Sequence, residues 1–237
     1  MSIDRRRFLA ISAASITGAF LAACGSDGPP GSGKFLAWTE KRNEPVERFL
    51  FRHTSMDRVP AGARAAGAAF PKYYVSDDVP VWDEAARGPW TLEVSGLVDH
   101  PLTLSLADLQ RLPTVSQRVN HYCVEGWTAV ADWTGTRVSE LARLAGARPE
   151  ARCVDFASFD DGYHESWDLA SAMHPQTLIA WAMDGKPLTP GHGAPARVHS
   201  PIKLGYKNTK YLVRVQFLAH RNGGYWSDQG YEWYGGT

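Results

Sequence analysis

The sequence predicts an α+β fold of mixed, largely antiparallel sheets with short helices between the strands. Three observations carry this. Short runs alternate apolar and polar residues at the period of a half-buried strand. Helical patterns are brief and scattered, without the regular strand–helix alternation of a parallel α/β sheet. The chain also holds 22 Gly, 15 Pro and nine each of Trp, Tyr and Phe, which favours many turns and aromatic-lined surfaces.

Taken in order, Trp90 to Gly96 alternates and then breaks at glycine, so it reads as a strand. Ser105 to Leu112 reads as a short helix, capped by Ser105 with Asp108 and stopped before Pro113. Gln117 to Cys123 is strand-like. Arg137 to Leu144 repeats apolar residues at helical spacing and closes at Gly146. Val154 to Phe159 reads as a strand and Asp168 to Met173 as a helical turn. Ala194 to His199 and Lys210 to Leu218 complete the set as strands.

The N-terminus reads as an export address. Arg5-Arg6-Arg7-Phe8-Leu9 contains a twin-arginine pattern, and the apolar stretch from Phe8 to Ala23 is too short and too rich in small residues for a comfortable span. It ends in Leu21-Ala22-Ala23-Cys24, a lipobox-like sequence that makes Cys24 the expected lipidation site. The expected organisation is a signal peptide over 1–23, a Gly/Pro/Ser tether over 24–34 and one domain over 35–237. The expected location is periplasmic, or the outer face of the cytoplasmic membrane through the lipid. Twin-arginine export carries folded proteins, which raises the expectation of a cofactor inserted before transport.

Formal charge is zero, with 25 basic and 25 acidic residues and no basic run, so nucleic acid is not an expected partner. Gly28 to Lys34 mimics the start of a phosphate-binding loop. Phe35 follows where Ser or Thr is needed and no strand precedes it, so nucleotide binding is not inferred.

Cys123 is the residue on which function turns. A thiolate is a soft metal ligand and a nucleophile when its pKa falls. A disulfide with Cys153 is the alternative, since Cys24 would be consumed by lipid and an exported protein can be oxidised. His121 and Tyr122, adjacent to the cysteine, are candidate catalytic or substrate contacts. His174, His199 and His220 read as structural polar residues, because no His/Cys metal spacing is present.

An ordered set of segments resembles the sulfite oxidase-like molybdopterin-binding oxidoreductases. It comprises Cys123-Val-Glu-Gly-Trp127, Met173 to Leu178, Gly185 to Leu188 and the run from His192 to Lys210, with Trp90 to Leu112 upstream. The cysteine context and the export signal are most similar to the bacterial branch that includes the catalytic subunit of a periplasmic methionine-sulfoxide reductase. The resemblance implies a sulfite oxidase-type fold, and molybdenum held by one pterin dithiolene and the Cys123 thiolate. It implies pterin contacts from Tyr74, Val75, Ser158, His192, Arg197, Asn208, Thr209 and Lys210; His192 stands where this branch commonly has asparagine. Arg197 and Lys210 suit the pterin phosphate, by forked bonds and by a point charge.

Sulfite-oxidising relatives place arginines near the metal, whereas Asn120, His121 and Tyr122 precede this cysteine. A neutral sulfoxide is therefore the favoured oxidised substrate, small or protein-bound, because an oxyanion in a dry pocket needs compensating charge. The chain carries no haem, flavin or iron–sulfur motif, so electrons are expected from a partner, a membrane haem protein. Oxidation of sulfite or another small sulfur compound is the alternative reaction. A cofactor-free surface lipoprotein used for binding is the alternative of another class.

Overall fold

The computed structural model describes residues 32–50, 56–60, 62–160 and 162–237. The expected signal peptide, Cys24 and most of the expected tether lie outside these residues. The chain divides into two units, residues 1–46 and 47–237. A helix, α1, spans Ser32–Leu50. Among the described residues no helix is long and apolar enough to cross a membrane.

Among the described residues, ten strands form two five-stranded sheets. The first runs β2 (Leu102–Ser105), β1 (Thr91–Gly96), β10 (Leu212–Leu218), β5 (Cys153–Ser158), β6 (His164–Asp168). Only the β1–β10 pair is parallel; its neighbours are antiparallel. The second runs β3 (Thr114–Tyr122), β4 (Thr128–Arg137), β7 (Leu178–Met183), β8 (Lys186–Pro187), with β9 (Arg197–His199) also paired to β7, and is antiparallel throughout. The expected mixed, largely antiparallel α+β architecture is what the chain adopts.

The helices are short and sit where local chemistry starts and stops them. Besides α2 (Glu84–Arg87), α3 (Leu106–Arg111) begins in a reciprocal capping box between Ser105 and Asp108. Helix α4 (Val138–Ala145) ends on Gly146 in the left-handed region, with φ 65°. Helix α5 (Leu169–Ala172) is capped by the Asp168 carboxylate, which accepts from the Ser171 N–H.

Two apolar clusters hold the sheets. The larger joins Leu92, Val94, Phe156, Trp167, Val215 and Phe217 of the first sheet to Leu109 of α3 and Val138 and Leu141 of α4. Ile179, Trp181 and Val198 of the second sheet reach into it, so both sheets share one core. The smaller cluster gathers Phe70, Val119, Ala131, Trp133, Leu178 and Ala180 on the second sheet. Over this smaller cluster the β3–β4 turn and the loops flanking β9 leave a cleft.

Candidate active site

Cys123 opens the tight turn that joins β3 to β4. Its N–H donates to the Trp127 carbonyl at 2.9 Å, and the Gly126 N–H donates back to the Cys123 carbonyl at 3.0 Å. The turn therefore projects the thiol from a rigid hairpin end. Glu125 lies beside it, with Oε2 3.8 Å from Sγ and accepting from Trp127 Nε1 at 3.1 Å. Burial, then the Glu125 charge, pushes the Cys123 thiol above its ordinary pKa. A thiol in that setting stays protonated until a cation arrives to favour the thiolate. Among the described residues no disulfide is formed; Cys153 is buried at the start of β5 against Trp233 and Tyr234.

Cys123 lines a cavity of about 360 Å³ with Tyr74, Val75, His121, Arg197, Asn208 and Lys210. Seven residues predicted from the sequence thus converge from four separate segments. Tyr122, Ser158, His192 and Thr209 do not line it. Tyr122 turns away and donates to Asp57 at 2.9 Å, while burial and that carboxylate push its pKa up to about 12. Ser158 Oγ accepts from the Asp160 N–H, closing the turn after β5. His192 is buried between Thr189 Oγ1 and the Phe70 carbonyl, within hydrogen-bond reach of both. Thr209 is buried with its hydroxyl unpartnered.

The cavity is electropositive at its inner end. Arg197 is buried, and its guanidinium donates to backbone carbonyls of His192, Asn208 and Val198 instead of a carboxylate. Burial pushes its pKa down to about 10. Lys210 donates to the Tyr73 and Gly191 carbonyls, and burial followed by the Arg197 charge brings it to about 7. Gly193 is required here: at φ 98°, an added Cβ would lie 2.8 Å from the Lys210 side chain. A buried and a half-buried cation whose hydrogen bonds go to carbonyl oxygens, with the unpartnered Tyr211 hydroxyl in the same wall, form a site that suits an anion with several acceptor oxygens. A phosphate-bearing cofactor fits these residues. Among the described residues no three His, Cys, Asp or Glu side chains gather around a common metal position, so Cys123 is the soft donor this cavity offers.

The mouth is aromatic and apolar. Tyr73 stacks on Trp127, centroids 5.9 Å apart, and Tyr74, Val75, Val124 and Tyr231 are exposed around the opening. The C-terminal segment does two jobs: Trp226 and Tyr231 line the cavity, whereas Trp233 and Tyr234 bury themselves against Cys153. Sequence reasoning missed Phe70, Tyr163 and Tyr211 of the wall. Phe70 and Tyr163 lie in loops with no periodic signal, whereas Tyr211 fell inside the expected Lys210–Leu218 strand and stands just ahead of β10.

Comparison with known proteins gives a consistent picture. The family described as "Oxidoreductase molybdopterin binding domain" matches residues 77–226. A protein of Azospira oryzae, provisionally named protein-methionine-sulfoxide reductase subunit YedZ1, is 39% identical over 82% of this chain and 73% of its own length. The protein-methionine-sulfoxide reductase catalytic subunit MsrP of Ralstonia nicotianae is 30% identical, over 91% of this chain and 69% of that one. Among solved structures, the sulfane dehydrogenase SoxCD of Paracoccus pantotrophus aligns with a TM-score of 0.58 at 17% identity. That alignment covers 74% of this chain and about half (54%) of the other, and it speaks to the fold alone.

Proposed function

Because the chain belongs to the oxidoreductase molybdopterin-binding domain family, with molybdopterin-bound molybdenum as cofactor, we propose that it reduces a sulfoxide by oxygen-atom transfer. Cys123 is the protein thiolate on the metal in this reading. The observation that carries it is the cavity itself, which a turn-mounted thiol shares with the buried Arg197 and the half-buried Lys210, both donating to backbone carbonyls.

When bound, the cofactor supplies two-electron oxygen-atom-transfer chemistry. The chain's own residues hold, orient and shield. Arg197 and Lys210 meet the anionic end, with the polar Asn208 loop and the Tyr211 hydroxyl in the same wall. The aromatic mouth excludes water and receives an apolar side chain.

Glu125 decides between substrates. A carboxylate 3.8 Å from the thiol repels an incoming oxyanion such as sulfite but leaves an uncharged sulfoxide unopposed. The family resemblance of relatives named for protein methionine sulfoxide points the same way.

Electrons come from a membrane haem partner, and the chain is exported by the twin-arginine route and held by lipid on Cys24; the sequence of residues 5–24 supports this part. Cys24→Ala should release the protein from the membrane fraction. The central test is metal content with turnover. Purified protein should hold close to one molybdenum per chain and reduce methionine sulfoxide with an artificial electron donor. Cys123→Ser should lose the metal or the turnover. A serine variant with full metal and undiminished rate refutes the ligand assignment.

A further inference from the structure

His121 and His199 form a buried pair beside the cysteine turn. His121 Nδ1 lies 3.3 Å from His199 Nε2, with ring centroids 5.4 Å apart and the planes inclined by 28°. His199 is fully buried, and Trp133 lies against a face of its ring, 4.1 Å away and nearly parallel, so its ring plane is fixed. One nitrogen of the pair must donate and the other accept.

The remaining nitrogens decide which. His199 Nδ1 is buried and has no hydrogen-bond partner. If it carried the proton, a dry N–H would be orphaned, which folded proteins avoid more strictly than an unfilled acceptor. The proton of His199 therefore sits on Nε2 and is donated to His121 Nδ1. His121 must then carry its own proton on Nε2. That atom points toward Gly205, where an added Cβ would be 2.9 Å away, and His121 lines the cavity. No described protein atom accepts from it.

We propose that His199 is a positioning residue that locks His121 as a neutral Nε2–H donor into the cavity, where it hydrogen-bonds the oxygen of the bound sulfoxide. This rests on the cavity being the reduction site, and it adds a residue that reads from sequence as merely structural. A neutral donor suits a neutral oxygen, which accepts strongly without needing a counter-charge. Gly205 is the matching requirement on the opposite wall, since any side chain there would displace the imidazole.

The test begins with nitrogen-15 NMR of the histidine rings in the purified full chain, with or without molybdenum. Wild type should show protonated Nε2 on both residues and an N–N coupling across the hydrogen bond between them. Protonated Nδ1 on His121 overturns the proposal. Kinetics with methionine sulfoxide form the second arm. His121→Gln, whose amide N–H can occupy the Nε2 position, should keep kcat/KM within about threefold, whereas His121→Phe should lower it about tenfold or more, the scale of one lost hydrogen bond. His199→Phe keeps the stack on Trp133 but removes the donor; it should blur the single His121 tautomer and cost several-fold, with His199→Gln restoring both. A His199→Phe variant with an unchanged tautomer and rate would also overturn it. Because the NMR arm needs neither metal nor substrate, it can fail or succeed independently of the Cys123→Ser result.

Discussion

Replacing Arg197 with methionine separates what this residue does for the fold from what it does for the cofactor. The guanidinium is 4% exposed and its pKa falls from the ordinary 12.5 to about 10, largely through burial. Holding the charge therefore costs the folded protein about 3 kcal/mol, at about 1.4 kcal/mol for each tenfold change in proton affinity. The cost is present at neutral pH and fades only as pH climbs from about 10 toward the unfolded value. Methionine removes it but strands the carbonyls of His192, Asn208 and Val198, each worth about 1–3 kcal/mol if left dry. The relieved charge offsets about 3 of the roughly 3–9 kcal/mol that three stranded carbonyls cost, so the metal-free variant should still fold, less stable than wild type by at most about 6 kcal/mol. Cofactor loading should collapse, because the forked donor for the anion is gone. Paired denaturation of metal-free protein and molybdenum analysis of loaded protein read both quantities. If the variant loads molybdenum normally, Arg197 is a structural arginine and the anion argument fails.

Other outcomes follow from the same geometry. With Lys210 at about 7, its charge is present below that pH and lost above it, so uptake of cofactor by metal-free protein should weaken as pH rises from 6 to 8; a flat profile would remove Lys210 from the anion site. Gly205→Ala should lower turnover with molybdenum content near normal, since its Cβ would meet His121 Nε2 rather than a cofactor-holding residue. Glu165→Leu should destabilise the protein by about 3–5 kcal/mol in urea, because it abandons the buried Lys207 ammonium now 2.5 Å from that carboxylate. A loss below about 1 kcal/mol would mean that Lys207 finds another partner or sheds its proton.

The sequence made some of this legible and hid the rest for identifiable reasons. Helices α3 and α4 were readable because Ser105, Asp108 and Gly146 punctuate them. Strands β1, β5 and β10 were readable because alternation or a bounded apolar run survives locally. Strand β4 was not: its buried positions are Ala129, Ala131, Trp133, Gly135 and Thr136, so small residues carry the burial and the apolar period is weak. Strand β6 was hidden by buried Glu165, Ser166 and Asp168, whose partners lie far along the chain at Lys207, Gly223 and Lys203. The site divides in the same way. Cys123, Arg197 and Lys210 stand out by chemistry and order along the chain. The part played by His199 depends on Trp133 lying against its face and His121 lying within hydrogen-bond reach of its Nε2, which is a tertiary fact.

Among the described residues, the cavity wall holds polar groups that the chain itself does not fully compensate. Arg197 has no carboxylate, Lys210 is pressed toward neutrality, and the Tyr211 hydroxyl has no hydrogen-bond partner. In an inert core such groups would be selected away, since each costs free energy that apolar packing would recover. The larger cluster around Leu92, Val94 and Phe156 shows what this chain builds where packing alone is at stake. By contrast, the buried cations farther from the cysteine are matched: Lys203 meets Asp168 and the Tyr234 carbonyl, and Lys207 meets Glu165. Unmatched cations facing the cavity and matched ones behind it indicate that the missing counter-charge comes from outside the chain. Loading the cofactor should therefore raise Tm by more than its contact area with apolar side chains would suggest, and Arg197→Met should erase most of that rise. A loaded wild-type protein no more stable than the metal-free form would contradict the inference, because an anion that relieves buried charge must stabilise the state that binds it.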